Sequence, residues 1–199
     1  HIPLLSVNDS HAGIPCVQHD YVSGSYQAMK YLCQMGHEQI AVITGPEGYM
    51  GNEEKLTGCY RAIHQLNVHI REEWFAQGDW TFNGGYQAAQ ALLSGERHPT
   101  AIFAFNDIMA IGAIHAIRDA RLMMPDDVSV VGFDNMEQLR FSEPNLTTVD
   151  GNTAYLAKII VDAAAKNAFS QYDQGVRIVI PVHLVKRGSV RNMRFESEN

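Results

Sequence analysis

The stretch from Pro99 to Asp107, with the sequence PTAIFAFND, decides the fold class. Its apolar residues, Ala101 to Phe105, follow one another without polar alternation, which is typical of a parallel strand with both faces buried. Asn106 and Asp107 end this run and offer an N-cap for a helix that continues to Ala120. The stretch therefore predicts one strand–helix unit of an α/β sheet.

The same succession recurs at intervals of about 30 residues, the length of one such unit. Apolar runs predict strands at Ile40 to Ile43, Trp74 to Ala76, Ala101 to Phe105 and Val128 to Gly132, with a last strand at Arg177 to Val182. Apolar side chains at three- and four-residue steps predict helices at Ser25 to Met35, Asn52 to Leu66, Thr81 to Leu93, Asp107 to Ala120 and Thr153 to Phe169, with Asn52, Thr81 and Asn152 as further N-caps. The pattern predicts an α/β fold with parallel, doubly wound sheets.

Length and composition restrict the classes of protein that fit. A chain of 199 residues forms one large domain or two small lobes. The net charge of −7, from 15 Lys and Arg against 22 Asp and Glu, argues against direct DNA binding by these residues. The cysteines, Cys16, Cys33 and Cys59, form no closely spaced pair, and no apolar run has the length of a membrane span. We therefore expect a cytoplasmic protein without a membrane partner.

Polar residues directly follow the predicted strands, at the sheet edge where α/β proteins bind ligands. Gly45-Pro46 and a loop that leads to Lys55 follow the first strand, and Trp80, Asn106 and Asp134 follow the next three. Carboxylate and amide groups bind sugar hydroxyls, and an indole stacks on the apolar face of a ring. This set favours a polyhydroxy or heterocyclic ligand. The alternative for Asn106 and Asp107 is helix capping alone, and for Trp80 it is loop packing.

Motifs for catalysis are missing from the sequence. It contains no GxxxxGK[ST], GxGxxG, HExxH or GxSxG, and its nine histidines are scattered. We therefore predict no cofactor, no metal site and no catalytic residue, and we do not expect an enzyme.

Six motifs in order along the chain resemble the effector-binding core of the LacI/GalR family of bacterial transcriptional regulators. They are GHEQIAVITGP (36–46), GCYRA (58–62), GDW (78–80), PTAIFAFNDIMAIGA (99–113), PDDVSVVGFDN (125–135) and LTTV (146–149). The resemblance implies a two-lobed, periplasmic-binding-protein-like fold whose lobes close on a small effector. It implies a homodimer, and it implies effector contacts at Asp20, Lys55, Trp80, Asn106 and Asp134.

By the same resemblance, residues 1–37 and 151–175 form a partial N-terminal lobe, residues 38–150 and 176–190 form the C-terminal lobe, and residues 191–199 form a flexible tail. The family's helix-turn-helix head and the opening strands of its first lobe should precede His1, so we expect operator binding only through a head that this chain does not contain. Two residues depart from the family pattern. Lys55 stands where Arg is usual, which removes a planar donor fork, and Gly151 stands where Gln is frequent, which adds backbone freedom.

Three functions fit these observations. The first is an effector sensor that binds a sugar or nucleoside-like ligand and controls an attached DNA-binding head. The second is a periplasmic solute-binding protein that serves transport, and the third is an enzyme on an α/β scaffold. The resemblance favours the sensor.

Overall fold

The computed structural model describes residues 4–9, 11, 13–95, 97–137, 139, 145–165 and 176–196. The strands are β1 (Ser6–Val7), β2 (Cys16–His19), β3 (Ile40–Thr44), β4 (Phe75–Gln77), β5 (Ala101–Ala104), β6 (Ser129–Asp134), β7 (Thr147–Asp150), β8 (Arg177–Ile180) and β9 (His183–Val185). The helices are α1 (Tyr21–Gln34), α2 (Met50–Leu66), α3 (Phe82–Leu93), α4 (Asp107–Asp119) and α5 (Thr153–Ala165). Within the described residues, no helix is both long enough and apolar enough to cross a membrane.

The larger sheet has the strand order β4-β3-β5-β6-β7-β9, and all its pairs are parallel except β7 with β9. Its central strands β3 and β5 are fully buried, as their continuous apolar runs predict. Helix α1 packs against α2, and α3 packs against α4. This arrangement, which we call the large lobe, confirms the predicted α/β class.

The helix caps explain where two of the predicted helices begin. The side chains of Thr81 and Asn106 accept hydrogen bonds from the backbone N–H groups of Gly84 and Met109, so both residues are the predicted N-caps. Helix α2 differs from its prediction, because it begins two residues before Asn52. The Asn52 side chain is buried and accepts a hydrogen bond from Gly45 N at 2.8 Å, so it fixes the loop after β3 instead of capping the helix.

The smaller sheet has the order β1-β2-β8, and all its pairs are parallel. With α5 it forms what we call the small lobe, whose buried residues Val17, Leu156 and Ile180 make a core separate from that of the large lobe. The chain passes between the lobes three times, after β2, after β7 and after β8. Two of these crossings are tied together, because Asp20 N donates to Ile180 O at 2.9 Å.

Strand pairing divides the chain differently from the predicted lobe boundaries. Strand β8 (Arg177–Ile180) pairs with β2 in the small lobe, although residues 176–190 were assigned to the C-terminal lobe. Only β9, after the bend at Pro181, joins the large sheet. A single strand was predicted because the apolar residues continue across this bend. Helix α1, assigned to the N-terminal lobe, packs on α2 of the large lobe.

The predicted tail is partly ordered. Arg191 N donates to Ser129 Oγ at 2.9 Å, and Met193 N donates to Met35 O at 2.8 Å. A 3₁₀ helix follows at Met193–Glu196. Residues 197–199 and the last residues predicted for α5, 166–169, lie outside the described part of the chain.

Candidate functional site

A cavity of about 290 Å³ opens at the carboxyl ends of the strands, between the small and the large lobe. Its size is near the lower end of ligand sites, which occupy roughly 300–1,000 Å³. We call it the interlobe pocket. Its lining consists of Asn8, Asp9, Tyr21, Tyr49, Met50, Gly51, Lys55, Trp80, Asn106 and Asp134.

Four of the five predicted effector contacts, Lys55, Trp80, Asn106 and Asp134, lie in this lining. They come from α2, from the loop after β4, and from the ends of β5 and β6, so the parallel strands bring together residues far apart in sequence. The fifth, Asp20, is not among the lining residues. Its carboxylate accepts a hydrogen bond from Ser23 N at 2.9 Å and caps α1.

Lys55 is a cation almost entirely removed from solvent, with 5% of its surface exposed. Its Nζ donates to Phe105 O at 2.6 Å and lies 4.1 Å from the ring centroid of Phe133, 4.8 Å from that of Tyr21 and 5.3 Å from that of Trp80. These distances are in the range of cation–π contacts. Burial lowers the pKa of Lys55 to about 8, although Asp134 and Asp107 oppose the change.

Asp134 lies at the end of β6 and lines the pocket, with part of its surface exposed. Desolvation by the surrounding protein raises the pKa of Asp134 to about 6, while Lys55 and the backbone N–H of Asp107 act in the opposite direction. The carboxylate is therefore mostly ionised at neutral pH and ready to accept hydrogen bonds. Lys55 and Asp134 together provide a donor and an acceptor at one end of the pocket.

Asp107 supports this end of the pocket from within the core. It is fully buried, and it accepts hydrogen bonds from Thr148 Oγ1 at 2.6 Å and from Met136 N at 2.8 Å. Burial raises its pKa to about 7, and the nearby Asp134 adds to this effect. Asp107 thus anchors the chain directly after β6, two residues beyond Asp134.

Trp80 is held over the pocket by its neighbours. The Asn106 Nδ2 group donates to Trp80 O at 3.0 Å, while Asn106 Oδ1 caps α4. The indole lies directly over Gly45, where an added Cβ would come within 1.9 Å of it. The ring edge also meets Tyr49, with centroids 6.5 Å apart. The Asn106 side chain therefore has two roles. It caps α4, and it holds the backbone of Trp80, whose indole lines the pocket.

Three of the seven described non-glycine residues with positive φ line the pocket. Asn8, Trp80 and Asp134 all have positive φ, at 58°, 68° and 118°. Such conformations are uncommon for residues other than glycine, and for a bulky residue such as Trp80 they are outliers. Strain of this kind concentrates in ligand sites, where the surrounding structure imposes it.

The sequence reasoning missed the lining residues Asn8, Asp9 and Tyr21. Tyr21 follows β2 as Asp134 follows β6, so the rule that located Asp134 would have located Tyr21 had β2 been predicted. Asn8 and Asp9 follow β1 (Ser6–Val7), and the apolar residues Leu4, Leu5 and Val7 before them were not interpreted as a strand. The Tyr49, Met50 and Gly51 positions belong to the loop and first turn before Lys55.

Gly151 leaves room for a side chain at the lobe crossing. The ring of His19 lies against it, and a Cβ at Gly151 would lie 3.1 Å from His19 Nε2. This nitrogen is buried without a hydrogen-bond partner. Burial lowers the pKa of His19, with a further contribution from Lys55. The space that Gly151 leaves is thus occupied by a neutral imidazole.

The pocket offers hydrogen bonds and ring faces instead of reactive groups. In the part of the chain that the structure describes, no group of three or more His, Cys, Asp or Glu side chains could hold a metal ion. The lining residues are suited to bind a compact ligand with hydroxyl groups on its edges and an apolar face.

Comparison with known proteins identifies the family to which the chain is similar. The model of the periplasmic binding protein-like domain matches residues 29–190. The HTH-type transcriptional repressor PurR of Salmonella newport (strain SL254) is 32% identical over 208 aligned residues, covering 97% of this chain and 61% of the repressor. The chain therefore spans about three fifths of the length of such relatives.

Solved structures give the same result. The transcriptional regulator CelR in complex with cellobiose has a TM-score of 0.85 and 28% identity, over 94% of this chain and 59% of that chain. The Lac repressor dimer bound to operator and the anti-inducer ONPF has a TM-score of 0.84 and 28% identity, over 96% of this chain and 66% of that one.

Proposed function

This chain belongs to the periplasmic binding protein-like domain family, with LacI-type transcriptional regulators among its relatives, and from this premise we propose that its interlobe pocket binds a sugar or a nucleoside-like effector. One observation carries the proposal: Lys55, Asp134 and Trp80 line the same pocket between two lobes. A polyhydroxy ring can use all three at once, because it accepts from the ammonium, donates to the carboxylate and stacks on the indole.

The charge of the pocket favours a ligand that is neutral overall. Lys55 is the cation of the lining, and Asp9 and Asp134 are its anions. An anionic group beside Lys55 would lie close to Asp134 and would be repelled by it. A hydroxyl group meets no such penalty, because it bonds to either charge. The relative CelR, which was solved with cellobiose, is consistent with a neutral carbohydrate.

In the complete regulator, effector binding would change how the two lobes sit and thereby control operator binding by a DNA-binding head. A ligand can shift such an equilibrium only by the difference between its affinities for the two arrangements. The chain crosses between the lobes three times, which is suited to a hinge. The Lac repressor structure, a dimer on its operator, supports a dimeric regulator of this kind. The likeness to repressors favours regulation over transport.

Thermal unfolding in the presence of candidate ligands tests the proposal. The probes are monosaccharides, disaccharides, purine nucleosides and pyrimidine nucleosides, each added singly. A ligand at 100 times its Kd should stabilise the protein by about 2.7 kcal/mol. The Asp134→Ala variant should lose about 1.5–3 kcal/mol of binding free energy, because a hydrogen-bonded charge is removed.

Asp126→Ala is the matched control, since Asp126 is also an exposed carboxylate but lies in the turn before β6, away from the pocket lining. It should bind the same ligand as the parent protein does. If no probe raises the unfolding temperature, or if Asp134→Ala binds as well as Asp126→Ala, the pocket assignment is wrong.

A further inference from the structure

Three side chains join the two lobes in a closed ring of hydrogen bonds. Arg177 Nε donates to Gln18 Oε1 at 2.7 Å, and Gln18 Nε2 donates to Glu54 Oε2 at 2.9 Å. The third side of the ring is the ion pair in which Arg177 donates to Glu54 Oε1. Gln18 and Arg177 belong to β2 and β8 of the small lobe, whereas Glu54 belongs to α2 of the large lobe.

Each of the three side chains bonds to both of the others, so the ring restricts the positions of all three. The Gln18 amide accepts from a cation and donates to an anion, which fixes its orientation. Gln18 is buried, and the Glu54 side chain is only 19% exposed, while that of Arg177 is 40% exposed. Charge-assisted bonds that are partly shielded from water contribute more than an exposed surface pair.

The ring lies beside the interlobe pocket. Glu54 directly precedes Lys55 and is one helical turn after Met50 and Gly51, and these three neighbours line the pocket. Arg177 also reaches Met50, with its Nη2 3.6 Å from the sulfur. The small lobe provides Asn8 and Asp9 of the lining. The ring therefore links the pocket wall on α2 to the lobe that supplies the opposite wall.

We propose that Gln18, Glu54 and Arg177 form an interlobe clamp, which positions the two walls of the pocket and sets how readily the lobes separate. The clamp can exist only when α2 lies against the ends of β2 and β8, so it stabilises this arrangement relative to a more open one. Elsewhere the small lobe has a hydrophobic core of its own, separate from that of the large lobe. This inference rests on the proposed function, because the clamp is inferred to hold the two walls of the proposed effector pocket in position.

Pulsed electron paramagnetic resonance on the full chain tests the clamp without any effector. Spin labels are placed at the exposed positions Gln65 on α2 and Asp162 on α5, with the half-buried Cys33 replaced by Ser. We expect one dominant interlobe distance in the parent protein. Glu54→Ala and Arg177→Ala should each raise the population of longer distances, by several-fold to about tenfold, because a hydrogen-bonded charge pair is lost.

A double substitution and a control make the result specific. Glu54→Ala combined with Arg177→Ala should change the distances little more than either single variant, because both remove the same interaction. Glu73→Ala is the control, since it removes one carboxylate from the Arg71–Glu73 pair, which lies within one segment of the large lobe. It should leave the distances unchanged. Should Ala at position 54 lower the fraction of folded protein, the isosteric Glu54→Gln replaces it.

Unchanged distances in both Glu54→Ala and Arg177→Ala would overturn the clamp. So would an equal change in Glu73→Ala, because the effect would then follow net charge alone. The effector assignment is judged separately by the thermal screen. If the clamp variants open the lobes and no probe binds, the clamp stands and the ligand class is wrong.

Discussion

At the scale of single residues, Lys55 combines its proposed role in effector binding with a cost in stability. The ammonium is buried among aromatic rings and keeps one hydrogen bond, to Phe105 O. Desolvation of a charge is unfavourable unless partners compensate for it, and here the lowered pKa reports incomplete compensation. A ligand that accepts hydrogen bonds from Nζ would complete the site. Residues of this kind are retained for function at the expense of the free protein's stability.

Replacement of Lys55 by Met should therefore stabilise the ligand-free protein by about 1–3 kcal/mol, because a buried charge is exchanged for a hydrophobic side chain of similar length. The pKa in the folded state, about 8, lies below the ordinary value of 10.5. The unfolded chain then binds more protons between these two values, so the free energy of unfolding of the parent protein should rise with pH from about 8 to 10.5. Lys55→Met should lack this contribution.

Urea unfolding at pH 7 and pH 9.5 measures both effects. Lys186→Met is the control, since Lys186 also lies over an aromatic ring, 4.7 Å from the centroid of Tyr31, but is exposed. It should change stability little at either pH. A Lys55→Met protein that is less stable than the parent would show that the ammonium is already satisfied by its aromatic surroundings.

Asp134 should give effector binding a pH dependence. Its pKa is raised to about 6, so the carboxylate is ionised above this pH and accepts hydrogen bonds on both oxygens. Below it, the protonated group loses part of this capacity. The affinity for whichever ligand the thermal screen identifies should decline as the pH falls from 7 to 5. Calorimetric titration at several pH values measures this decline. Asp134→Asn should bind more weakly at pH 7 and show a flatter profile. Equal slopes in parent and variant would assign the pH dependence to another group.

At the scale of elements, Asn106 shows how one side chain serves both a helix and the pocket. Its oxygen caps α4, and its nitrogen holds the backbone of Trp80. Asp is as good an N-cap as Asn, but it has no N–H to donate. Asn106→Asp should therefore keep most of the stability and release Trp80, whereas Asn106→Ala should lose about 1–2 kcal/mol because the cap is also removed.

Tryptophan fluorescence and urea unfolding separate these two effects. Trp74 is buried in the core, so changes in emission with an intact fold report Trp80. Thr81→Ala is the comparison, since it removes the cap of α3 without touching the Asn106 amide. If Asn106→Asp left the emission unchanged, the bond to Trp80 O would have no part in holding the indole.

The predictability of elements follows from how strongly each one is buried. Strands β3 and β5 have every residue in the core, so their apolar runs are continuous and easily recognised. Strands β1 and β9, at sheet edges, have two and three residues and leave no comparable run. The strands β1 and β2 of the small lobe were therefore not predicted, and the last strand was predicted at Arg177 to Val182, without β9.

The pocket was predictable to the extent that its residues follow buried strands. Lys55, Trp80, Asn106 and Asp134 were located by that rule or by the family resemblance. Asn8 and Asp9 were not, because the short apolar segment before them, with Leu4, Leu5 and Val7, was not interpreted as a strand. The interlobe clamp is also invisible in the sequence, since Gln18, Glu54 and Arg177 meet only through the folding of separate lobes.

At the scale of the whole molecule, two cores of unequal size explain how the lobes can move. The large lobe buries a continuous cluster that includes Phe103, Phe105 and Phe133, whereas among the described residues the buried core of the small lobe consists of Val17, Leu156 and Ile180. Because apolar burial is the main favourable term in folding, the small lobe should open at lower free energy. By this argument, the three crossings would act as a hinge between a rigid body and a more dynamic one.

Hydrogen exchange should reveal this difference directly. Backbone amides of β2 and β8 should exchange faster than those of β3 and β5, because local opening exposes the small core before global unfolding occurs. Val17→Ala, which removes two methyl groups from the small core, should accelerate exchange in β2 and β8 and leave β5 nearly unchanged. Exchange followed by mass spectrometry resolves these segments.

Val131→Ala in the large core is the matched substitution, and it should raise exchange throughout the large sheet. Uniform protection of both sheets, or equal acceleration everywhere by Val17→Ala, would mean that the lobes unfold as a single cooperative unit and that hinge motion requires breaking the common core.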